Sequence, residues 1–172
     1  MIQNLMAYEE AGYKVVHKGE NFEIRYYEER IVIQTRYDSG NSGFRKLFNY
    51  ISGQNQGEKK IEMTTPVTEL QDEGQMVMQF YLPTRFNASS APLPADNSVE
   101  IAKINAGYFA VIQYSGFASD KNFYKHAQIL KSSLERDNIN ISSQPIKATY
   151  DGPFTLPNLR RNEAMYLVLW DN

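Results

Sequence analysis

The two halves of this sequence repeat one pattern of elements, and the repeat limits the possible folds more than any other feature. Residues 22–37, FEIRYYEERIVIQTRY, have the same character as residues 99–116, VEIAKINAGYFAVIQYSG. Each segment has Glu-Ile near its start, then a polar interruption, then an alternating apolar run that contains Val-Ile-Gln. Because alternation with a period of two is typical of strands, each segment is predicted to be a β-hairpin or a bent pair of strands.

An amphipathic helix is predicted after each of these strand pairs. In the first half, an apolar stripe at the spacing i, i+3, i+4 and i+7 consists of Phe44, Leu47, Phe48 and Ile51. Asn41 and Ser42 are candidate N-caps of this helix, and Gly53 marks its end. In the second half, the corresponding stripe behind the candidate N-cap Ser119 consists of Phe123, Ala127, Leu130 and Leu134.

Each half ends with a proline-containing strand followed by an alternating strand. Pro66 interrupts KIEMTTPVTEL, and Pro153 in YDGPFTLPNL is its predicted counterpart. Proline lacks the N–H that a β-ladder needs, so it marks a point where a strand ends its pairing, bulges or turns a corner. The Ala-, Ser- and Pro-rich residues 84–98 are predicted to be a loop that joins the two halves.

The repeat predicts an α+β fold in a single domain that spans residues 1–172. Two pseudo-symmetric β-α-β-β units, roughly residues 20–84 and 97–170, are expected to form a distorted antiparallel β-barrel flanked by two helices. Neither unit has enough sheet and helix to bury its own apolar face, so the two are expected to share one core.

Composition excludes several classes of function. The chain has no Cys and two His, which rules out cysteine nucleophiles, disulfides and zinc sites built from three histidines. No Gly-x-Ser-x-Gly motif or Gly-rich phosphate loop occurs, and nothing in the sequence positions a Ser-His-Asp triad, so we do not expect an enzyme. The net charge of −2, with both signs interspersed, argues against nucleic acid as a partner.

Neither a targeting segment nor a membrane span is predicted. The first residues, MIQNLMAYEEAG, lack a basic stretch followed by a continuous apolar stretch. No later segment contains the eighteen or so apolar residues that cross a bilayer. We therefore expect a cytoplasmic protein with no membrane partner.

Three residues are candidates for contact with iron or with a flat ligand. A phenolate ligates ferric iron when a cation or the metal lowers its pKa. Tyr26, near Arg25, Arg30 and Arg36 in sequence, is therefore a candidate ligand, with plain strand packing as the alternative. His126 borders the apolar stripe of the second helix, where it is either an axial ligand or a hydrogen-bonded histidine at the core boundary. Met63 is either a gap-filling core residue or part of the wall of an apolar pocket.

The sequence resembles the SOUL family of haem-binding proteins over nearly its whole length and in the family's order of motifs. The motifs that carry the resemblance are FEIRYYEERIVIQT, GFRKLFNYISGQN, KIEMTTPVT, PLPADNSVEIAKI and YDGPFTLPNLRRNEAMYLV. The Met-Thr-x-Pro-Val and Arg-Arg-Asn-Glu signatures are the most specific of these.

The resemblance implies the two-unit barrel already suggested by the repeat, and a relation to effector-binding domains that hold amphipathic molecules. It implies non-covalent binding of haem or another tetrapyrrole in a hydrophobic surface cleft, without catalysis, by a protein that we expect to be a monomer. Tyr26 stands where one branch of the family has a histidine proposed as the axial ligand. The candidate residues for holding the cofactor are Tyr26, Phe44, Leu47, Phe48, Met63 and His126, with Tyr26 as the candidate metal ligand. Binding of other flat amphipathic molecules, or an enzyme that modifies haem, are the alternatives.

Overall fold

The computed structural model describes residues 8–38 and 42–171 of the chain. This part contains two α-helices, α1 (Ser42–Ile51) and α2 (Asp120–Arg136), and a short 3₁₀ helix at Pro157–Leu159. The strands, in chain order, are β1 (Glu9–Glu10), β2 (Tyr13–Lys18), β3 (Glu23–Tyr27), β4 (Arg30–Tyr37), β5 (Thr64–Thr65), β6 (Val67–Asp72), β7 (Gln75–Tyr81), β8 (Val99–Ile104), β9 (Gly107–Tyr114), β10 (Asn140–Ile141), β11 (Ile146–Thr149) and β12 (Asn162–Leu169). Neither α-helix in the described residues is long and apolar enough to cross a bilayer.

The two units exchange strands instead of forming the predicted hairpins. β3 pairs with β9, and β8 pairs with β4, so the first strand of each unit lies beside the second strand of the other unit. β6 of the first unit pairs with β11 of the second unit at the centre of the sheet, between the two exchanged pairs of strands. The link between β3 and β4 is Glu28-Glu29, and neither residue has the positive φ that a two-residue hairpin loop requires.

A two-residue hairpin does form between β6 and β7, where the local sequence suits it. The connecting residues are Glu73 and Gly74, with φ angles of 49° and 80°. Positive φ at both central positions gives a turn whose twist matches the twist of the strands. Whether two neighbouring strands of this chain form a hairpin therefore depends on the residues of the connecting turn as well as on the alternation of apolar residues.

The main sheet does not close into the predicted barrel. Its strands follow the order β2-β3-β9-β12-β11-β6-β7-β4-β8, with β10 added beside β12, and its pairings are antiparallel. Among the described residues, β2 pairs only with β3, and β8 only with β4. Side chains link the opposite parts of the sheet instead: the guanidinium of Arg30 lies 4.1 Å from the ring centre of Tyr27 in β3 and 4.9 Å from that of Tyr81 in β7. Because no backbone ladder within residues 8–38 and 42–171 joins the end strands β2 and β8, the sheet formed by these residues is open.

Pro66 separates two strands that have different partners. β5, before Pro66, pairs in parallel with β1, whereas β6, after it, pairs with β7 and β11. The peptide bond between Thr65 and Pro66 is cis. The prediction that Pro153 occupies the equivalent place is wrong, because β11 ends at Thr149 before it, and Pro145 is the proline that directly precedes β11.

Both helices form where the sequence predicts them, but only α2 buries its whole apolar stripe, because Phe44 and Phe48 of the α1 stripe are partly exposed. Ser119 caps α2 by accepting a hydrogen bond from the N–H of Asn122 at 3.2 Å. The predicted stripe of α2 is buried: Phe123, Ala127, Leu130 and Leu134. In α1, Leu47 and Ile51 are buried, and Gly53 follows the helix with a φ of 121°. The capping candidate Asn41 lies outside the described residues.

The helices cover one face of the sheet, and charged and aromatic side chains occupy the other. α1 packs on β4 and β7, and α2 packs on β9 and β12. Because successive residues of a strand point to opposite faces, the neighbours of core residues such as Ile24 and Ala164 point away from the helices. We call this side of the sheet the rear face, which is formed around Arg25, Tyr27, Phe109, Val111, Glu163 and Met165.

Candidate functional site

Two partly exposed phenylalanines lie one turn apart on the outer side of α1. Phe44 is 41% exposed and Phe48 is 49% exposed. Their ring centres are 6.0 Å apart, and the ring planes differ by only 14°. The ring of Phe44 also makes an edge contact with buried Phe80 of β7, at a centroid distance of 5.1 Å. Exposed Arg45 adjoins Phe48, since helix positions three apart are neighbours. We call Phe44, Arg45 and Phe48 the α1 surface.

Leu47 and Met63 belong to the apolar cluster beneath α1. Leu47 is completely buried in this cluster, and Met63 is half-buried against it. Leu47 therefore holds α1 on the sheet and is not accessible to a ligand on the surface. Met78 and Phe80 line the same cluster.

Tyr26 lies apart from the α1 surface, on the side of the sheet covered by α2. It is half-buried in β3 between β2 and β9, and its ring centre is 5.2 Å from that of Tyr108. The arginines that are near it in sequence bind elsewhere. Arg25 donates to Glu163, and Arg30 stacks on Tyr27. The structure therefore places neither of these cations against the Tyr26 ring.

His126 is held by its neighbours at the edge of the core. Its ring stacks on that of Tyr114, with centres 4.1 Å apart and planes within 3°. Its Nδ1 lies 2.8 Å from the carbonyl oxygen of Asn122. Since a carbonyl oxygen only accepts, Nδ1 donates its hydrogen to this contact and is not available to bind a metal. Among the described residues, no group of three or more His, Asp or Glu is arranged to hold a metal ion.

The candidate residues thus form two groups. Phe44, Phe48, Leu47 and Met63 gather at α1, whereas Tyr26 and His126 lie on the α2 side of the fold. On that side, Tyr26 is opposite Tyr108 and His126 stacks on Tyr114. Six residues along a strand span about 20 Å, so these two candidates are also far from each other.

A buried charge cluster on the rear face was not singled out from the sequence. Nη1 and Nη2 of Arg25 donate to the two carboxylate oxygens of Glu163 at 2.8 and 2.9 Å. The Tyr150 hydroxyl donates to Glu163 at 2.8 Å, and Arg161 donates to it at 3.1 and 3.2 Å. The available signal in the sequence is that Arg25 and Glu163 are charged residues within strands that otherwise carry mostly apolar and aromatic side chains, EIRYY and NEAMYLVL.

Burial and charge shift the acid–base properties of this cluster. Burial raises the pKa of Tyr27 to about 12, partly opposed by the charge of Arg25. Burial and the negative charge of Glu163 raise the pKa of Tyr150 still further. Burial alone would lower the pKa of Arg25, but its hydrogen bond to Glu163 and the charge of that carboxylate raise it overall. The cluster therefore holds a fixed ion pair surrounded by neutral phenols.

A cavity of about 220 Å³ lies where β4 begins and β7 ends. Its walls include Arg30, Thr65, Tyr81, Leu82 and Phe86. None of the residues proposed from the sequence to hold a cofactor lines this cavity. It is therefore a separate feature from the α1 surface.

Relatives with similar sequences cover most of the chain. Heme-binding protein 1 of Xenopus laevis is 28% identical over 173 residues, which covers 90% of this chain and 89% of that protein. Heme-binding protein 2 of Homo sapiens is 28% identical over 163 residues, covering 86% of this chain and 78% of that protein.

Solved structures share the fold at low sequence identity. A hydrolase from Listeria innocua has a TM-score of 0.65 and 8% identity, over 87% of this chain and 92% of that one. At this identity the likeness shows the α+β architecture alone. The profile of the family described as SOUL heme-binding protein matches residues 8–167. Since this match spans nearly all of the sequence, the chain belongs to the SOUL heme-binding protein family.

Proposed function

We propose that this protein binds haem or a related tetrapyrrole non-covalently at the α1 surface, as a haem buffer or carrier. The observation that carries the proposal is the exposed, nearly parallel pair of rings of Phe44 and Phe48. The family match and the names of the relatives support the class of ligand.

The α1 surface has the chemistry that a flat apolar ligand with acidic groups requires. Covering exposed apolar surface stabilises a complex by about 25 cal/mol per Å². The Phe44 ring is already held against Phe80, and the Phe48 ring lies nearly parallel to it, so the pair offers binding energy at little ordering cost. Arg45 carries a permanent positive charge suited to a carboxylate. Bound haem would supply the iron and the conjugated ring. Phe44 and Phe48 would contact the face of that ring, and Arg45 would pair with a propionate.

Ligation by Tyr26 implies a different placement of the ligand. An iron bound by the Tyr26 phenolate would lie beside Tyr108 on the α2 side, away from α1. An anionic oxygen ligand favours ferric iron, so this placement has its own spectroscopic signature. We favour the α1 placement because its rings are the more exposed, and we retain Tyr26 as the candidate metal ligand of the second placement.

Binding of amphipathic cations is the principal alternative. It requires free carboxylates, such as those of Glu23, Glu28 and Glu100, to attract the cation. Glu23 accepts a hydrogen bond from Arg25 at 2.7 Å, and Glu100 accepts one from Gln34 at 2.7 Å. Two of the three carboxylates therefore already have donors, which weakens this alternative.

We infer that the protein acts on its ligand by binding alone. The relatives are named as heme-binding proteins, and no metal-binding group of His, Asp and Glu is present in the described residues. A haem-modifying enzyme would change the absorption spectrum of haemin with time, whereas a binding protein would give a constant spectrum once saturated.

A haemin titration followed in the Soret band tests the proposal. Wild type is compared with the double variant F44A/F48A and with F154A, which removes a 98% exposed ring outside α1. We expect saturable one-to-one binding by wild type and F154A, and at least tenfold weaker binding by the double variant. Equal affinities in the three proteins would contradict the α1 placement, and the lack of saturable binding by wild type would refute haem as the ligand.

The variant Y26F separates the two placements. If haem lies at α1, Y26F binds as wild type does, with an unchanged spectrum. If Tyr26 ligates the iron, the charge-transfer bands of a phenolate complex disappear in Y26F, and F44A/F48A binds normally.

A further inference from the structure

Arg30 carries a positive charge for which the described residues provide no anion. Its Nε is buried and has no hydrogen-bond partner. None of the ion pairs formed within residues 8–38 and 42–171 includes Arg30. By contrast, Arg25 and Arg161 on the same face both bind Glu163. Arg30 as a whole is half-buried, but a buried Nε–H without an acceptor is costly, so its presence points to a function.

Aromatic rings hold the Arg30 guanidinium in a fixed position. Its central carbon lies 4.1 Å from the ring centre of Tyr27, 4.9 Å from that of Tyr81 and 5.4 Å from that of Phe109. Such contacts stabilise the cation without neutralising it. The planar donor group is therefore fixed in place for an anion of matching geometry, as a carboxylate is.

The cavity beside Arg30 is small and has both apolar and polar walls. It holds about 220 Å³, below the roughly 300–1,000 Å³ of sites for drug-sized ligands. Leu82 and Phe86 form part of its apolar wall. Thr65 also lines it, and its hydroxyl makes no hydrogen bond to the rest of the described chain. A ligand here would be much smaller than a tetrapyrrole.

Two carboxylates at the same cavity are already engaged elsewhere. Glu29 pairs with Lys103 at 3.3 Å. Glu9 accepts a hydrogen bond from the N–H of Thr84 at 2.8 Å. Neither is within ion-pair distance of Arg30, so the cationic wall remains available to a ligand.

We propose that this cavity binds a small amphipathic carboxylate, an aryl or short-chain acid of about the size of benzoate. Its carboxylate accepts hydrogen bonds from the Arg30 guanidinium, and its apolar part packs against Leu82 and Phe86. None of the residues of the α1 surface lines the cavity, so this site is independent of the proposed haem site.

A titration with benzoate, followed in the amide ¹H–¹⁵N correlation spectrum, tests this site. Benzamide serves as the matched neutral ligand, because it has the same ring and nearly the same shape. We expect saturable benzoate shifts at the amides of Thr65 and Leu82, and at least tenfold weaker binding of benzamide. Equal binding of the two ligands, or no saturable shift with benzoate, would overturn the proposal.

Variants of Arg30 test the role of the guanidinium. R30Q is expected to lower benzoate affinity at least tenfold, and R30K, which keeps the charge but loses the planar fork, to lower it less. The control is R136Q, which removes an exposed arginine of α2 and is expected to bind benzoate as wild type does. Wild-type affinity in R30Q would overturn the proposal; if R30Q does not fold, R30K and the benzamide comparison decide it. Haemin affinity is expected to be unchanged in R30K, so the two proposals can fail separately.

Discussion

Arg25 and Glu163 form a two-pronged ion pair between β3 and β12, although 138 positions separate them in the sequence. The two N···O distances are 2.8 and 2.9 Å, and the side chains are 2% and 0% exposed. Tyr150 and Arg161 supply further donors to the same carboxylate. Because β3 belongs to the first unit and β12 to the second, the pair links the two halves of the repeat.

Replacing Glu163 by Gln is expected to destabilise the protein by about 3–5 kcal/mol, because Arg25 is left as a buried charge without its main anion. Urea unfolding followed by circular dichroism measures this loss. The control is Glu20→Gln, which removes the partner of Arg136 in an exposed pair and is expected to cost less than about 1 kcal/mol. Similar losses in the two variants would show that the buried pair contributes no more than a surface pair.

Stability is expected to fall as the pH rises from 10 to 12, because Tyr27 keeps its proton longer when folded. Burial raises the pKa of Tyr27 to about 12, whereas an unfolded tyrosine titrates near 10. Between these values the folded protein binds more protons than the unfolded chain. The contribution of Tyr27 to the free energy of unfolding is therefore fully present below pH 10 and is lost by about pH 12. At about 1.4 kcal/mol per pH unit, this amounts to roughly 2–3 kcal/mol.

Urea unfolding at pH 9.5 and pH 11.5 measures this loss in wild type and in Tyr27→Phe. The variant lacks the titrating group and is expected to lose less stability over the interval. If both proteins lose the same amount, Tyr27 is not a source of the alkaline instability.

Replacing Ser119 by Ala is expected to destabilise the protein by about 1 kcal/mol. Ser119 accepts from the N–H of Asn122, which has no partner within the first turn of α2 when that cap is removed. Ser119→Asn keeps a capping oxygen and is expected to retain stability close to that of wild type. Thermal unfolding of the three proteins gives the comparison, and equal losses for Ala and Asn would contradict a capping role.

Replacing Glu73 by Asn or Gly is expected to stabilise the hairpin between β6 and β7 by about 0.5–1 kcal/mol. Glu73 has a φ of 49°, a conformation that Asn and Gly adopt more readily than Glu. Gly74→Ala, at a φ of 80°, is expected to have the opposite effect. Chemical denaturation measures both changes, and a loss of stability in Glu73→Gly would contradict the explanation from φ.

The sequence predicted those elements that depend on interactions between near neighbours. The stripe of α2 and its cap at Ser119 involve residues within a few positions of one another, and the structure confirms both. The interruption at Pro66 depends on the missing N–H of one residue, and the strand does change partners there. The motifs of the two halves also identified the family, which the profile match confirms.

Strand pairing and the resulting sites depend on contacts between distant segments. Alternation in residues 22–37 indicates strands equally well whether they pair with each other or with the other unit. Two strands do form in each segment, but the hairpin alternative was wrong. For the same reason the sequence does not predict whether the sheet closes into a barrel, because closure depends on whether β2 pairs with β8.

The sequence by itself determined the helices, the approximate strands and the family, since these follow from local periodicity and short motifs. Only the tertiary structure decided that Phe44 and Phe48 are exposed while Leu47 is buried, because that depends on which side of α1 faces β4 and β7. It also decided that Glu163 neutralises Arg25, whereas Arg30 has no ion-pair partner in the part of the chain that the structure describes. The physical reason is that the position of a charge relative to other charges is set by strand exchange across the whole chain, which local sequence patterns do not encode.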